Sequence, residues 1–218
     1  MDRIDIKTPR REIEETINAG DLQKLLKITG LLHGHFCPGV ALGVKAGAIA
    51  MSKLGITSTG MEEVVAIVET NNCFSDGIQM VTGCSFGNNA LIYRDYGKTV
   101  VTLARRNGEA IRISAKPNGF IKEHHPDLQE LFDKVVAKRK GTKAEEKRLK
   151  ELWSQLSFEI LKIDDSELFD IRREKITVPP YSRIFANIRC SNCGEVVMES
   201  RARIRNGKPI CIPCLGID

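Results

Sequence analysis

Apolar residues in the first part of the chain recur at helical spacing, and small polar breaks divide them. Residues 12–29 read as two short helices. Gly20 ends the first and Asp21 caps the second, whose apolar side carries Leu22, Leu25, Leu26 and Thr29. A loop from Leu32 to Cys37 follows, and Pro38 stands at a first helical position. The next helix is predicted to run to about Leu54. Gly39, Gly43 and Gly47 recur along it every fourth residue, so one face lets another element approach its backbone closely. Glu63 to Thr70 is an apolar, β-branched run expected to form a buried strand. Asn71 to Phe74 is a loop at its end, with Ser75 or Asp76 capping a helix from Gly77 to about Thr82. Leu91–Tyr96 and Thr99–Arg105 read as a hairpin across Gly97-Lys98, and Asn107-Gly108 turns into a third strand, Ala110 to Ala115.

The period changes again at Pro126, where a helical pattern runs to Phe158. Gly141-Thr142 divides it, with Thr142 and Glu145 spaced as a capping box. Its basic block, Lys138 to Lys150, reads as a solvated face. Leu168 to Val178 is the last strand of the larger region, with Phe169 and Ile171 facing one way. Pro179-Pro180 then interrupts regular structure. Two domains are expected, residues 1–180 and 184–218.

Composition narrows the class. The chain has 218 residues, 42% of them hydrophobic and 28% charged, enough for a medium domain with a packed core and a small appendage. A net charge of +5 permits attraction to acidic partners without singling out a nucleic-acid binder. The charged N-terminus is unlike a signal peptide, and the apolar stretch from Val40 to Met51 is too short to span a bilayer. Seven cysteines, four at metal spacing, point to a reducing compartment, so a cytoplasmic protein with no membrane partner is expected.

Those four are Cys190, Cys193, Cys211 and Cys214. Two Cys-x-x-Cys pairs make a four-thiolate site, and zinc is the expected ion. The metal explains how so short a segment folds. Arg201, Arg203 and Arg205 alternate beside it. On one strand they would share a face, open to phosphate or an acidic protein patch, or would form a solvated edge.

The larger region holds a second constellation. His33, His35 and Cys37 place two imidazoles and a thiol within five residues, and Cys37 lies at a helix N-terminus that favours a thiolate. His33 serves either as a ligand or as a partner that orients one. Cys73 with Asp76, and Cys84 with Asn88, occupy two further loops, and the three loops are expected to line one pocket. Cys84 is either a ligand or a small buried side chain. His124 and His125 read as turn residues.

The chain resembles the FmdE family, named for its link to formylmethanofuran dehydrogenase. The resemblance rests on His33-Gly34-His35-Phe36-Cys37-Pro38-Gly39, on Glu69-Thr70-Asn71-Asn72-Cys73-Phe74-Ser75-Asp76-Gly77-Ile78-Gln79, and on Val81-Thr82-Gly83-Cys84-Ser85-Phe86-Gly87-Asn88. It implies an α+β fold: a thioredoxin-like core with a mixed sheet flanked by helices, a treble-clef-type zinc finger, and a homodimer. It also implies a core metal site at His35, Cys37 and Cys73, with His33, Asp76 and Cys84 beside them. The ion there would be zinc or another divalent metal. The family's association with a molybdenum or tungsten dehydrogenase of methanogenesis suggests such a complex as partner. No Cys-x-x-Cys occurs in the core, so dithiol exchange does not follow from the fold.

Three functions compete at this point. One is a metal-dependent enzyme or accessory protein, with Cys37 and Asp76 as catalytic candidates. Another is a zinc-finger module that binds nucleic acid or an acidic partner. The third is thiol redox chemistry, with Cys37 attacking and Cys73 or Cys84 resolving.

Overall fold

The computed structural model describes residues 9–117 and 125–216. His124 therefore lies outside the described residues, as does the charged N-terminal segment. The chain divides into two compact units between Pro179 and Pro180.

The first unit starts with helices α1 (Arg11–Asn18) and α2 (Leu22–His33). Asp21 caps α2 by accepting a 2.9 Å bond from the Lys24 amide. Gly34, at φ 83°, ends it in the left-handed region that turns the chain toward Cys37. Helix α3 (Pro38–Leu54) is the buried centre, and helix α4 (Cys73–Thr82) packs along it. Strand β1 (Val64–Val68), buried at all five positions, lies between them in sequence.

Helix α4 corrects the sequence expectation. It starts at Cys73 rather than Gly77, because the Asn72 side chain accepts the Phe74 amide at 3.0 Å and caps it. Cys73 and Asp76 therefore share the first turn of one helix.

The sheet has strand order β2-β1-β3-β4-β5. Strand β2 (Leu91–Tyr93) runs parallel to β1 with Ala66 opposite Leu91, while β3 (Val100–Arg105) runs antiparallel on the other side, with Ala66 opposite Leu103. The expected β2–β3 hairpin is thus absent. The segment after β2 crosses the end of β1, where the Arg94 amide bonds the Val68 carbonyl and the Lys98 amide bonds that of Glu69. Strand β4 (Glu109–Ala115) does pair with β3 through Asn107-Gly108, and β5 (Phe169–Lys175) closes the other edge with Ile113 opposite Ile171.

Helix α5 (Pro126–Phe132) continues as a π-helical turn (Asp133–Ala137), and α6 (Lys143–Ile160) begins with the predicted capping box. A short helix, α7 (Asp165–Leu168), leads into β5. The buried Lys45 of α3 ties down the end of α6. Its ammonium donates to the Leu161 carbonyl at 3.3 Å and to that of Ile163, and pairs with Asp165 at 3.2 Å. Arg112 holds Glu69 through two bonds of 2.6 and 3.1 Å, fixing the strand end from which the chain departs toward Cys73.

The second unit is two small hairpins, β6 (Asn187–Arg189) with β7 (Val196–Met198) and β8 (Ala202–Arg205) with β9 (Lys208–Cys211), closed by helix α8 (Ile212–Leu215). Arg201 does not join the strand of Arg203 and Arg205. Glu199–Arg201 fold as a 3-10 turn, so the expected three-arginine face is cut to two. Among the described residues, no helix is long and apolar enough to cross a membrane.

Candidate metal centres

In the small unit each Cys-x-x-Cys presents its sulfurs inward, and the ligand atoms of Cys190, Cys193, Cys211 and Cys214 lie within 4.8 Å of one another. Cys193 Sγ and Cys211 Sγ stand 3.8 Å apart. Two sulfurs about 2.3 Å from one tetrahedral zinc are separated by about 3.8 Å. The Cys190 sulfur accepts the Cys211 amide at 3.3 Å and the Asn192 amide at 3.4 Å. The Cys211 amide above all, with those of Cys193 and Asn192, pulls the Cys190 thiol down to about 6. Thiolate donors with amide support suit zinc.

The core constellation forms where α2 ends and where α3 and α4 begin. His33, His35 and Cys37 bring one ligand atom each within 4.8 Å of one another. His33 Nδ1 meets Asp76 Oδ2 at 2.7 Å. With Nδ1 donating its proton to that carboxylate, Nε2 carries the lone pair, and it faces Cys37 Sγ at 3.6 Å. A sulfur about 2.3 Å and a nitrogen about 2.0–2.1 Å from one tetrahedral zinc stand about 3.6 Å apart. His33 thus has ligand geometry, and Asp76 fixes its tautomer. Engaged in this way, Asp76 is a positioning residue rather than a free general base.

Cys73 reaches the same place from α4. Its Cβ would lie 3.0 Å from a Cβ added at Gly39, and it lines one cavity with His35 and Cys37. Each thiol is the largest single influence on the other's proton. Sharing with Cys73, reinforced by burial, holds Cys37 strongly protonated, and the amides of Val40 and Gly39 only partly oppose this. The same pairing, aided by His33 and His35, brings Cys73 down to about 5. The half-buried Cys73 is therefore the resident thiolate when no metal is present. Its place in the sequence concealed that role, which the helix N-terminus had assigned to the buried Cys37.

Cys84 does not join them. It follows the far end of α4, about 15 Å along the helix from Cys73. It is buried and aims its sulfur at the Val64 carbonyl, 3.6 Å away, and burial pushes its thiol up. Its loop is built by Asn88, which accepts the Ser85 and Ala90 amides and donates to the Gly60 and Gly83 carbonyls. Two of the three expected loops converge, and the third is structural. His125 bonds Glu159 at 3.0 Å and links the start of α5 to α6.

Sequence reasoning also missed the wall above the core cluster. The indole of Trp153, on α6, stacks on His35 with centroids 5.7 Å apart, and Phe132 lies 6.2 Å beyond it. At its place on an amphipathic helix Trp153 reads as an ordinary core residue.

Comparison with known proteins agrees with both units. A family described as FmdE, Molybdenum formylmethanofuran dehydrogenase operon, matches residues 32–170. The chain belongs to that family. The prokaryotic dksA/traR C4-type zinc finger matches residues 181–217, so the protein is a metal-binding FmdE-like protein with a C-terminal zinc finger. A protein of Archaeoglobus fulgidus described as a probable S-adenosyl-L-methionine-binding protein is 40% identical over 210 residues, 93% of this chain and 56% of the relative. The chain thus spans about half the length of that curated relative. The crystal structure of an FmdE-like protein of tungsten formylmethanofuran dehydrogenase, from Syntrophus aciditrophicus, shares the fold. Its TM-score is 0.57 at 21% identity, over 89% of this chain and 92% of that one.

Proposed function

We propose that the core of this protein is a second metal centre, in which His33, His35, Cys37 and Cys73 hold a divalent ion, zinc by donor type, with Asp76 orienting His33. The observation that carries the reading is the 3.6 Å separation of His33 Nε2 and Cys37 Sγ, with Nδ1 locked 2.7 Å from Asp76. A bound metal supplies Lewis acidity at the floor of an open cavity, whereas structural zinc sites are closed. The chain's own groups set up that chemistry. Asp76 fixes the imidazole, Cys73 supplies the thiolate, and burial keeps water from Cys37. The family's name supports an accessory or enzymatic role beside a formylmethanofuran dehydrogenase, and the implied thioredoxin-like core and homodimer belong to the same proposal. S-adenosylmethionine binding is the described property of a relative of which 44% lies outside the match, and it is not carried to this chain.

The test is metal content of full-length protein purified without added metal. The expected result is two ions per chain, falling to one in the Cys37→Ala, Cys73→Ala double variant. A wild-type protein with one ion per chain, or a double variant that keeps two, refutes the ligand set.

A further inference from the structure

We propose, resting on the metal reading above, that the core centre takes a flat aromatic ligand, anchored to the metal by one nitrogen or sulfur donor and held against Trp153 and Phe132. The cavity over the cluster measures about 460 Å³, within the range of small-molecule sites, roughly 300–1,000 Å³. His35, Cys37 and Cys73 form its floor, and α5 and α6 supply its wall through Leu128, Phe132 and Trp153. Apart from the floor, its lining is apolar but for Gln129, which is exposed at the rim. No cationic side chain lines it, so a phosphate-bearing or carboxylate-rich ligand has no partner for its charge there.

What distinguishes the wall from plain core packing is its geometry. His35, Trp153 and Phe132 form a row of rings at 5.7 and 6.2 Å, the spacing at which aromatic rings attract. Phe132 remains 37% exposed at the end of the row, an aromatic face with room for another ring. The row begins at a metal-ligand imidazole, so a ring that joins it brings its donor atom to the metal side. The wall continues into the π-helical turn at Val136, a distortion often found at functional sites. Soft thiolate and imidazole donors around the ion favour nitrogen or sulfur in the ligand.

Trp153 is the sole tryptophan of the chain, so its fluorescence reports this wall alone. Full-length protein with metal content measured is titrated with imidazole and with 4-phenylimidazole, which share a donor and differ in the flat apolar body. The expected result is binding of 4-phenylimidazole about tenfold tighter or more, with a change in Trp153 emission. In cobalt-substituted protein both probes should alter the visible spectrum. Phe132→Ala, at the exposed end of the row, should cut the preference several-fold with metal content unchanged. Equal affinity for the two probes, or an unresponsive Trp153, overturns the aromatic wall. Equal 4-phenylimidazole binding in protein stripped of its core metal overturns the anchor. Metal content is read separately, so a core that holds no ion refutes the metal reading without touching the fluorescence result.

Discussion

The three glycines of α3 face α4 at three different distances, and alanine substitution should separate packing from chemistry. A Cβ at Gly43 would sit 2.1 Å from the Phe74 carbonyl oxygen and 2.9 Å from its carbon. Ordinary contact begins at 3.4 Å, so the helices must part by about 1.3 Å. The obstacle is backbone in the middle of a helix, which has no rotamer to change. Overpacking of that kind costs about 3 kcal/mol, and the better helix propensity of alanine returns about 1. Gly43→Ala should therefore destabilise the protein by about 2 kcal/mol, or roughly 4–8 °C in Tm for a unit of this size.

At Gly47 the added carbon meets the Val81 side chain at 3.1 and 3.2 Å, where a shift of a few tenths of an ångström suffices. Gly47→Ala should fall within about 1 kcal/mol of wild type. At Gly39 the neighbour is Cys73 Cβ at 3.0 Å. Gly39→Ala should leave stability within about 1 kcal/mol yet weaken the core metal at least about tenfold, because it moves a ligand rather than a helix. Urea unfolding at saturating zinc, with zinc affinity measured on the same samples, gives both quantities. A Gly43→Ala midpoint equal to wild type would refute the backbone contact. Equal losses of metal in Gly39→Ala and Gly47→Ala would refute the assignment of Cys73 to the site.

Asp76→Asn should lower core zinc affinity about 10–100-fold by competition with a zinc indicator, since the carboxylate that fixes His33 is lost; unchanged affinity would make the 2.7 Å pair incidental. The Lys134 ammonium, with the Thr142 amide and hydroxyl, holds the Glu145 carboxyl at about 2, below its ordinary 4.5. Its contribution is full above 4.5 and lost as the pH falls from there through about 2, so the Tm gap between wild type and Glu145→Gln should close over that window. A gap as wide at pH 2 as at pH 7 would exclude this account. Chelation should abolish amide protection in β6 to β9 while β1 and β3 stay protected, because only the small unit depends on metal to fold. Retained protection in both hairpins would contradict that dependence.

The local signals were readable wherever the chain's own neighbours decide the outcome. Thr142 and Glu145 close the capping box by contacts three residues apart, and the four cysteines of the finger meet through two short turns. The β2–β3 hairpin failed because a turn signal at Gly97-Lys98 was weighed without its competitor. Strand β1 is buried at every position, so it must be central and must have a neighbour on each side. The two strands read as a hairpin supply those neighbours. The start of α4 was hidden because Asn71-Asn72 looks like loop until the Asn72 side chain is seen to cap the Phe74 amide.

The glycine stripe marks the boundary of what sequence can tell. Its four-residue spacing announced that some element would approach α3 closely, but not that the element would be α4, whose first turn carries Cys73 and Asp76. Once that contact is known, the site follows. Gly39 lets Cys73 approach within reach of Cys37, Gly43 and Gly77 bring the backbones together, and Asp76 arrives beside His33 by helical spacing alone. The residues that read as packing are therefore the ones that set the distance between the two thiols. A survey of metal-type side chains that ignores the glycines finds the ligands and misses the reason they meet.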